Sequence, residues 1–135
     1  MASTLKLEIV TPTGNAFSDN VEMVTMPGVE GQFGVLPNHV RLITRLVPGE
    51  LIVHKDGNVS YLAVGEGLVE VTGKQVLIAT DMAVLAEGID EAKAEEARQR
   101  AIARRNEKLS AAEVASVNAS LAHSLAQLKV KRRHR

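Results

Sequence analysis

The chain has 135 residues, no Cys, no Trp, one Tyr and two Phe, and its 16 basic residues balance 16 acidic ones. This is the size of one ordinary domain, or of a small domain with an appendage. Without Cys there is no disulfide scaffold, thiolate metal site or Cys nucleophile, and 45% hydrophobic content excludes wholesale disorder. The opening Met-Ala-Ser-Thr-Leu-Lys-Leu-Glu lacks the basic start and apolar run of a secretory signal. No apolar stretch approaches the ~18 residues of a membrane span. A soluble, cytoplasmic protein is expected.

The neutral total conceals a split. Residues 1–88 carry five basic residues against ten acids, a charge of −5, and residues 89–135 carry eleven against six, a charge of +5. All ten Gly and all four Pro lie at or before Gly88. Two chemically different segments meet there.

The first segment reads as β structure. Leu5, Leu7 and Ile9 alternate with Lys6, Glu8 and Val10 until Pro12–Gly14 stops the run, and Val21, Met23 and Thr25 alternate until Pro27-Gly28. Further runs cover 42–47, 51–54, 59–64, 69–71, 76–80 and 82–85, separated by Pro48-Gly49, Lys55-Asp56-Gly57-Asn58 and Gly73-Lys74. Asp56-Gly57 is a two-residue hairpin signal. Short strands with turns every 8–12 residues predict an all-β sandwich or barrel.

The second segment reads as two helices. Asp90 can cap the first, with acids early and Arg104 and Arg105 late, as the helix dipole favours. Glu96 and Arg100 are spaced as an i,i+4 pair. Asn106–Leu109 is a turn, and Ser110-Ala111-Ala112-Glu113 has capping-box spacing. In the second helix Val114, Val117, Leu121, Leu125 and Leu128 fall on one stripe. The first helix offers only Ala94, Ala97, Ala101 and Ile102 for burial, so an antiparallel hairpin, docked but not fused to the β core, is expected. The predicted fold class is β + α: an N-terminal all-β sandwich (1–88) followed by a C-terminal two-helix hairpin (89–135). Such a hairpin is a two-state element.

Catalytic signals are absent. His39, His54, His123 and His134 do not cluster, and His54 and His123 read as partly exposed polar residues. There is no H-E-x-x-H, G-x-S-x-G or P-loop. Gly65-Glu66-Gly67-Leu68-Val69-Glu70 mimics a dinucleotide fingerprint for three residues, fails at Glu70, and reads as a turn or bulge. The tail Lys129, Lys131, Arg132, Arg133 and Arg135 is strongly basic and suits an acidic partner. A nucleic-acid partner would favour interleaved aromatics, which the tail lacks, so a protein surface fits it better.

The most specific stretch is Gly31-Gln32-Phe33-Gly34-Val35-Leu36-Pro37-Asn38-His39. Two Gly and a Pro in seven residues predict a bent, exposed loop presenting Phe33 and Leu36. The stretch resembles the G-x-x-G-x-x-P-x-H signature of the epsilon subunit of F-type ATP synthases. Val10-Thr11-Pro12, Val21–Val24, Leu42-Ile43-Thr44, Gly65-x-Gly67-x-x-Glu70-Val71 and Ile89–Ala94 follow the same family in the same order.

The resemblance implies a non-catalytic rotor subunit on the cytoplasmic face of the plasma membrane, reached only through the complex. It would couple proton transport to ATP synthesis by binding the gamma subunit and the c-ring. Gln32, Phe33, Gly34, Leu36, Pro37, Asn38 and His39 would face the c-ring. An acid is common in the family at the position of Gln32, so here Asn38, His39 and apolar side chains would serve.

The hairpin would inhibit ATP hydrolysis when extended, its tail (Lys129, Lys131, Arg132, Arg133, Arg135) meeting acidic segments of the alpha and beta subunits. Residues 90–130 as helix would reach about 60 Å at ~1.5 Å per residue. Some members bind regulatory ATP through I-D-x-x-R-A, matched here by Ile89, Asp90, Lys93 and Ala94, with Arg100 as a further basic position. Lys for Arg loses the planar fork, and Val84 stands where that site uses an acid. Weak or absent ATP binding is expected, and no other cofactor or metal. The competing reading is a free-standing β-sandwich adaptor whose basic tail binds nucleic acid.

Overall fold

A computed structural model describes residues 3–134. Among them ten strands come first: β1 (Leu5–Thr11), β2 (Gly14–Val21), β3 (Met23–Gly28), β4 (Gly31–Val35), β5 (Leu42–Leu46), β6 (Gly49–Lys55), β7 (Asn58–Val64), β8 (Gly67–Thr72), β9 (Gln75–Thr80) and β10 (Ala83–Leu85). A single 3₁₀ turn, Ala86–Gly88, leads into α1 (Glu91–Arg105) and α2 (Ala111–Arg133). The sandwich and the two-helix appendage are both as expected.

The strands run in the order β10-β7-β6-β3-β5-β8-β9-β1-β2, with β4 also on β3. Only the β1–β9 pairing is parallel. β3 joins the two halves: Met23–Thr25 pair with β6, and Gly28 pairs with Leu46 of β5. Alternation puts Leu5, Leu7, Ile9, Leu51, Val53, Leu62, Val64, Val69, Val71, Val76 and Ile78 inside, all 2% exposed or less. The Asp56-Gly57 turn forms as the sequence indicates, both residues taking positive φ (52° and 76°) and closing the Lys55–Asn58 pair.

Two strands escaped the sequence reading. β2 is an edge strand with only Phe17 and Val21 turned inward, and Lys55 of β6 pins it through Asp19. That ion pair lowers the Asp19 carboxyl and raises the Lys55 ammonium, each through the hydrogen bond between them. The other is β4, which occupies the first half of the expected loop.

The helix boundaries match expectation: Asp90 caps α1 by accepting from the Lys93 N–H, and Ser110 and Glu113 form a full capping box on α2. The Ser110 backbone N–H lowers the Glu113 carboxyl. Two local expectations fail. On α1 Glu95, not Glu96, makes the ion pair, to Arg98 at 2.7 Å. On α2 the predicted stripe is only partly buried, since Val114 (44%) and Leu125 (47%) are exposed. The buried residues are Val117, Ser124, Ala126, Leu128 and Val130. The helix serves two neighbours, α1 and the sandwich, and close approach to a sheet selects small side chains over large ones.

Candidate functional site

Three surfaces collect the residues that the sequence singles out. The first is the β3–β4 hairpin and the loop after it. Gly31, at φ 123°, turns the chain, and Phe33 lies back across Gly28, where a Cβ would stand 2.7 Å from its ring. Met23 lies over Gly34 in the same way, at 2.6 Å. Gln32, Phe33 and Gly34 are therefore strand residues paired with β3, and Phe33 is half-buried against the core rather than presented. The exposed part is shorter: Leu36 (56%), Asn38 and Val40 (76%), with Pro37 and His39 half-buried between them. Asn38 takes a positive φ of 69°, and its N–H donates to Gly73 O at 2.7 Å, tying this loop to the β8–β9 turn. His39 Nδ1 lies 2.7 Å from Val40 O.

The second surface is the outer face of β5 and β8. Ile43 (72%) and Leu68 (56%) are exposed, opposite Glu70 and Arg45 in register, with an Arg45–Glu66 ion pair at 3.3 Å beside them. Large apolar side chains on an outer sheet face suit a partner.

The third surface is the seam between α2 and the outer face of β6, β7 and β10. Ala126 and Val130 meet Ala63, Ala86 and Ile89, flanked by Tyr61, Met82 and Val84. This cluster is separate from the sandwich core. Polar contacts border it. Lys131 Nζ donates to Ala86 O at 3.3 Å and Gln127 Nε2 to Met82 Sδ at 3.1 Å. His123 Nε2 sits 3.0 Å from Asp81 Oδ1 without hydrogen-bond alignment. A Cβ on Gly65 would strike Asp81 at 1.9 Å and His123 at 3.0 Å, so the glycine makes room for this contact. At the far end Glu50, only 6% exposed, receives His134 Nε2 at 2.6 Å and Arg133 Nη1 at 3.4 Å. The His134 ring stacks on Tyr61 with centroids 3.5 Å apart.

Of the residues matched to nucleotide binding, Ile89, Asp90, Lys93 and Ala94 lie together at the start of α1, and Arg100 lies further along it. Ile89 is buried in the seam, Asp90 is engaged as a cap, Lys93 is exposed, and Ala94 is buried. Arg100 lines a different cleft of about 320 Å³ with Arg104, Ala101, Ser116, Val117 and Ser120. It lies ten residues from Asp90, about 15 Å along a helix at 1.5 Å per residue. Val84 lies apolar in the seam. Among the described residues no three His, Asp or Glu side chains are placed to hold a metal.

The basic tail is solvent-exposed at Lys129, Arg132 and Arg133, yet most of its groups are paired. Arg132 folds back onto α1, its Nε 2.9 Å from Glu91 and its Nη2 3.4 Å from Glu95, and the Glu91 contact raises its guanidinium further. Glu95 is lowered, first by Gln99 and then by Arg98 and Arg132. Arg133 is held by Glu50, Lys131 by Ala86, and Lys129 is exposed. Arg135 lies outside the described residues. No sequence signal marked Glu50, whose partners are 83 and 84 residues downstream, or His123.

A strand-built module carrying a separately packed helical hairpin, with no helix long and apolar enough to cross a membrane among the described residues, defines a class of two-part proteins, a β-sandwich with a helical appendage. Residues 4–86 match the family described as ATP synthase, Delta/Epsilon chain, beta-sandwich domain, and residues 87–132 match its long alpha-helix domain. The chain is 41% identical over 131 residues to the ATP synthase epsilon chain 2 of Syntrophotalea carbinolica, covering 96% of this chain and 95% of that one. It is 36% identical over 129 residues to the ATP synthase epsilon chain of Desulforamulus reducens, covering 96% and 98%. Its fold is similar to a chain in the OSCP/F1/c-ring of Euglena gracilis mitochondrial ATP synthase, with a TM-score of 0.75, 25% identity, and coverage of 94% and 80%. The chain belongs to the ATP synthase delta/epsilon family, as an epsilon subunit of a bacterial F-type ATP synthase.

Proposed function

We propose that this subunit couples proton transport to ATP synthesis from the cytoplasmic face of the plasma membrane, gripping the gamma subunit and the c-ring with residues 1–88. The hairpin, residues 89–135, inhibits ATP hydrolysis when it leaves the sandwich. The loop tip offers the c-ring Leu36, Pro37, Asn38 and His39, with Gln32 and Gly34 on the adjoining strand and Phe33 bracing it from behind. Gln32 supplies no charge, so this contact rests on apolar area and hydrogen bonds. The outer face around Ile43 and Leu68 suits the gamma subunit.

The observation that carries the regulatory part is the seam. Its apolar cluster is small and distinct from the core, so the hairpin can detach without unfolding the sandwich. Once detached, Lys129, Lys131, Arg132, Arg133 and Arg135 are available to acidic segments of the alpha and beta subunits. Lys93 and Val84, with Asp90 already capping a helix, support weak or absent ATP binding. The internal pairing of Arg132 and Arg133 disfavours a nucleic-acid tail. Truncation after Leu109 in the assembled complex is expected to raise its ATP hydrolysis; unchanged hydrolysis refutes the inhibitory role.

A further inference from the structure

We infer that Glu50 is an internal receptor for the basic tail, so that leaving the sandwich and reaching an external acidic surface are one exchange of partners. This rests on the inhibitory reading of the hairpin and names the residue that opposes it.

Glu50 is an unusual occupant of its position. β6 turns Leu51 and Val53 inward, so Glu50 and Ile52 point to the outer face, where a carboxylate would ordinarily meet water. α2 covers it instead, leaving its side chain 5% exposed. A carboxylate so covered needs partners, and both come from the end of the chain: His134 at 2.6 Å and Arg133 at 3.4 Å. Its neighbour across the ladder, Ala63, has no polar side chain to offer. Tyr61 supports the contact by stacking on His134.

The carboxylate has two acceptable states. With the hairpin docked it is paired; with the hairpin gone it is on an open sheet face in water. It is never left buried and unpaired, and this is what permits reversible release. Arg133 and His134 cannot serve Glu50 and an external carboxylate together. An acidic surface on a neighbouring subunit therefore competes with Glu50 for the same partners, and its own cost of desolvation is offset by the resolvation of Glu50. Arg132 is held separately, by Glu91 and Glu95 of α1, and travels with the hairpin as long as the two helices stay together.

The test uses the full chain, whose lack of cysteine permits clean double labelling. Spin labels at Ser18→Cys on β2 and Asn118→Cys on α2, both exposed, report the hairpin's distance from the sandwich. The unaltered seam is expected to give a single docked population. Glu50→Lys places like charge against Arg133 and removes the acceptor facing His134, and is expected to shift the docking equilibrium toward release by roughly 30-fold or more. Adding His134→Glu to Glu50→Lys restores an opposite-charge pair and is expected to recover the docked distance. Glu50→Lys with an unchanged distance distribution overturns the inference, as does release that the charge swap fails to reverse. A melting temperature of the sandwich unchanged by Glu50→Lys separates release from misfolding. Because the readout is docking and not hydrolysis, failure here leaves the inhibitory role standing, and failure of the truncation assay leaves the receptor standing.

Discussion

Val130→Ala should detach the hairpin while leaving the sandwich intact. Val130 is fully buried and is the one large apolar side chain that α2 contributes to the seam, where its companions are Ala126 on the same helix and Ala63, Ala86 and Ile89 opposite. Removing two carbons costs about 1.6 kcal/mol at ~0.8 kcal/mol each, and an uncollapsed cavity brings the loss to about 3 kcal/mol. At about 1.4 kcal/mol per decade, the docked-to-released ratio falls roughly 15- to 150-fold. Amide exchange reads this directly. Amides of α2 should lose protection, while those of β1, β8 and β9 keep theirs. Leu62→Ala supplies the contrast. It alters the preceding residue of β7 but faces the other way, into the core at 1% exposure, and should cost about 2–5 kcal/mol of sandwich stability. If Val130→Ala lowers the sandwich melting temperature as far as Leu62→Ala does, or strands and helix lose protection together, seam and core are one cooperative unit and the reasoning fails.

Gly67→Ala should destabilise the sandwich by about 1–3 kcal/mol in denaturant titration, because its Cβ would stand 1.9 Å from Ala79 O and 2.8 Å from Thr80 Cα, both fixed backbone. Gly73→Ala, with nothing within 4 Å, should change stability by less than about 0.5 kcal/mol. The start of α2 should fray in acid: Glu113 is lowered by the Ser110 N–H, so its contribution is complete above the ordinary Glu range and disappears as pH falls through the lowered value. Exchange at the first-turn amides measures this, and Glu113→Gln, which cannot titrate, should remove the dependence. Isothermal calorimetry should find no micromolar ATP binding to the chain, nor to Lys93→Arg, since the guanidinium alone does not supply the acid missing at Val84.

Where one face is buried and the other wet, the sequence is legible. Leu5-Leu7-Ile9, Val69-Val71 and Val76-Ile78 announce their strands because the side-chain period is two. β2 is silent because an edge strand needs few inward residues: Phe17 and Val21 suffice when β1 and the Lys55–Asp19 pair hold the rest. β4 misleads because its glycines imitate a loop. Gly34 and the nearby Gly28 are there so that Met23 and Phe33 can cross the backbone closely, a need that appears only once the hairpin is folded. On α2, size was the wrong criterion. A helix wedged between α1 and a sheet buries Ser124 and Ala126 and leaves Leu125 outside. The family motif identified the loop after β4, while Glu50, His123 and Asp81 carried no local signal, being joined only by long-range contacts.

The scarcity of large buried side chains in the seam fits what the proposed switch would require. Moving a two-state equilibrium from 1:99 to 99:1 takes a differential of about 5.5 kcal/mol, so a partner of ordinary affinity can release only an arm held by a comparable amount. Burying a single large aliphatic side chain supplies at most about 1.5–3 kcal/mol. Leucines in place of Ala63, Ala86 and Ala126 would fix the hairpin permanently if they packed and expel it permanently if they did not. Alanines with one valine and one isoleucine at the buried centre, flanked by the half-buried Tyr61, Met82 and Val84, keep the apolar part small. The remaining adhesion is ionic, and ion pairs at such a border come close to balancing their own desolvation. On the proposed reading, Glu50, Arg133 and His134 therefore set direction and register more than strength, and an acidic surface met by the tail would decide the strength.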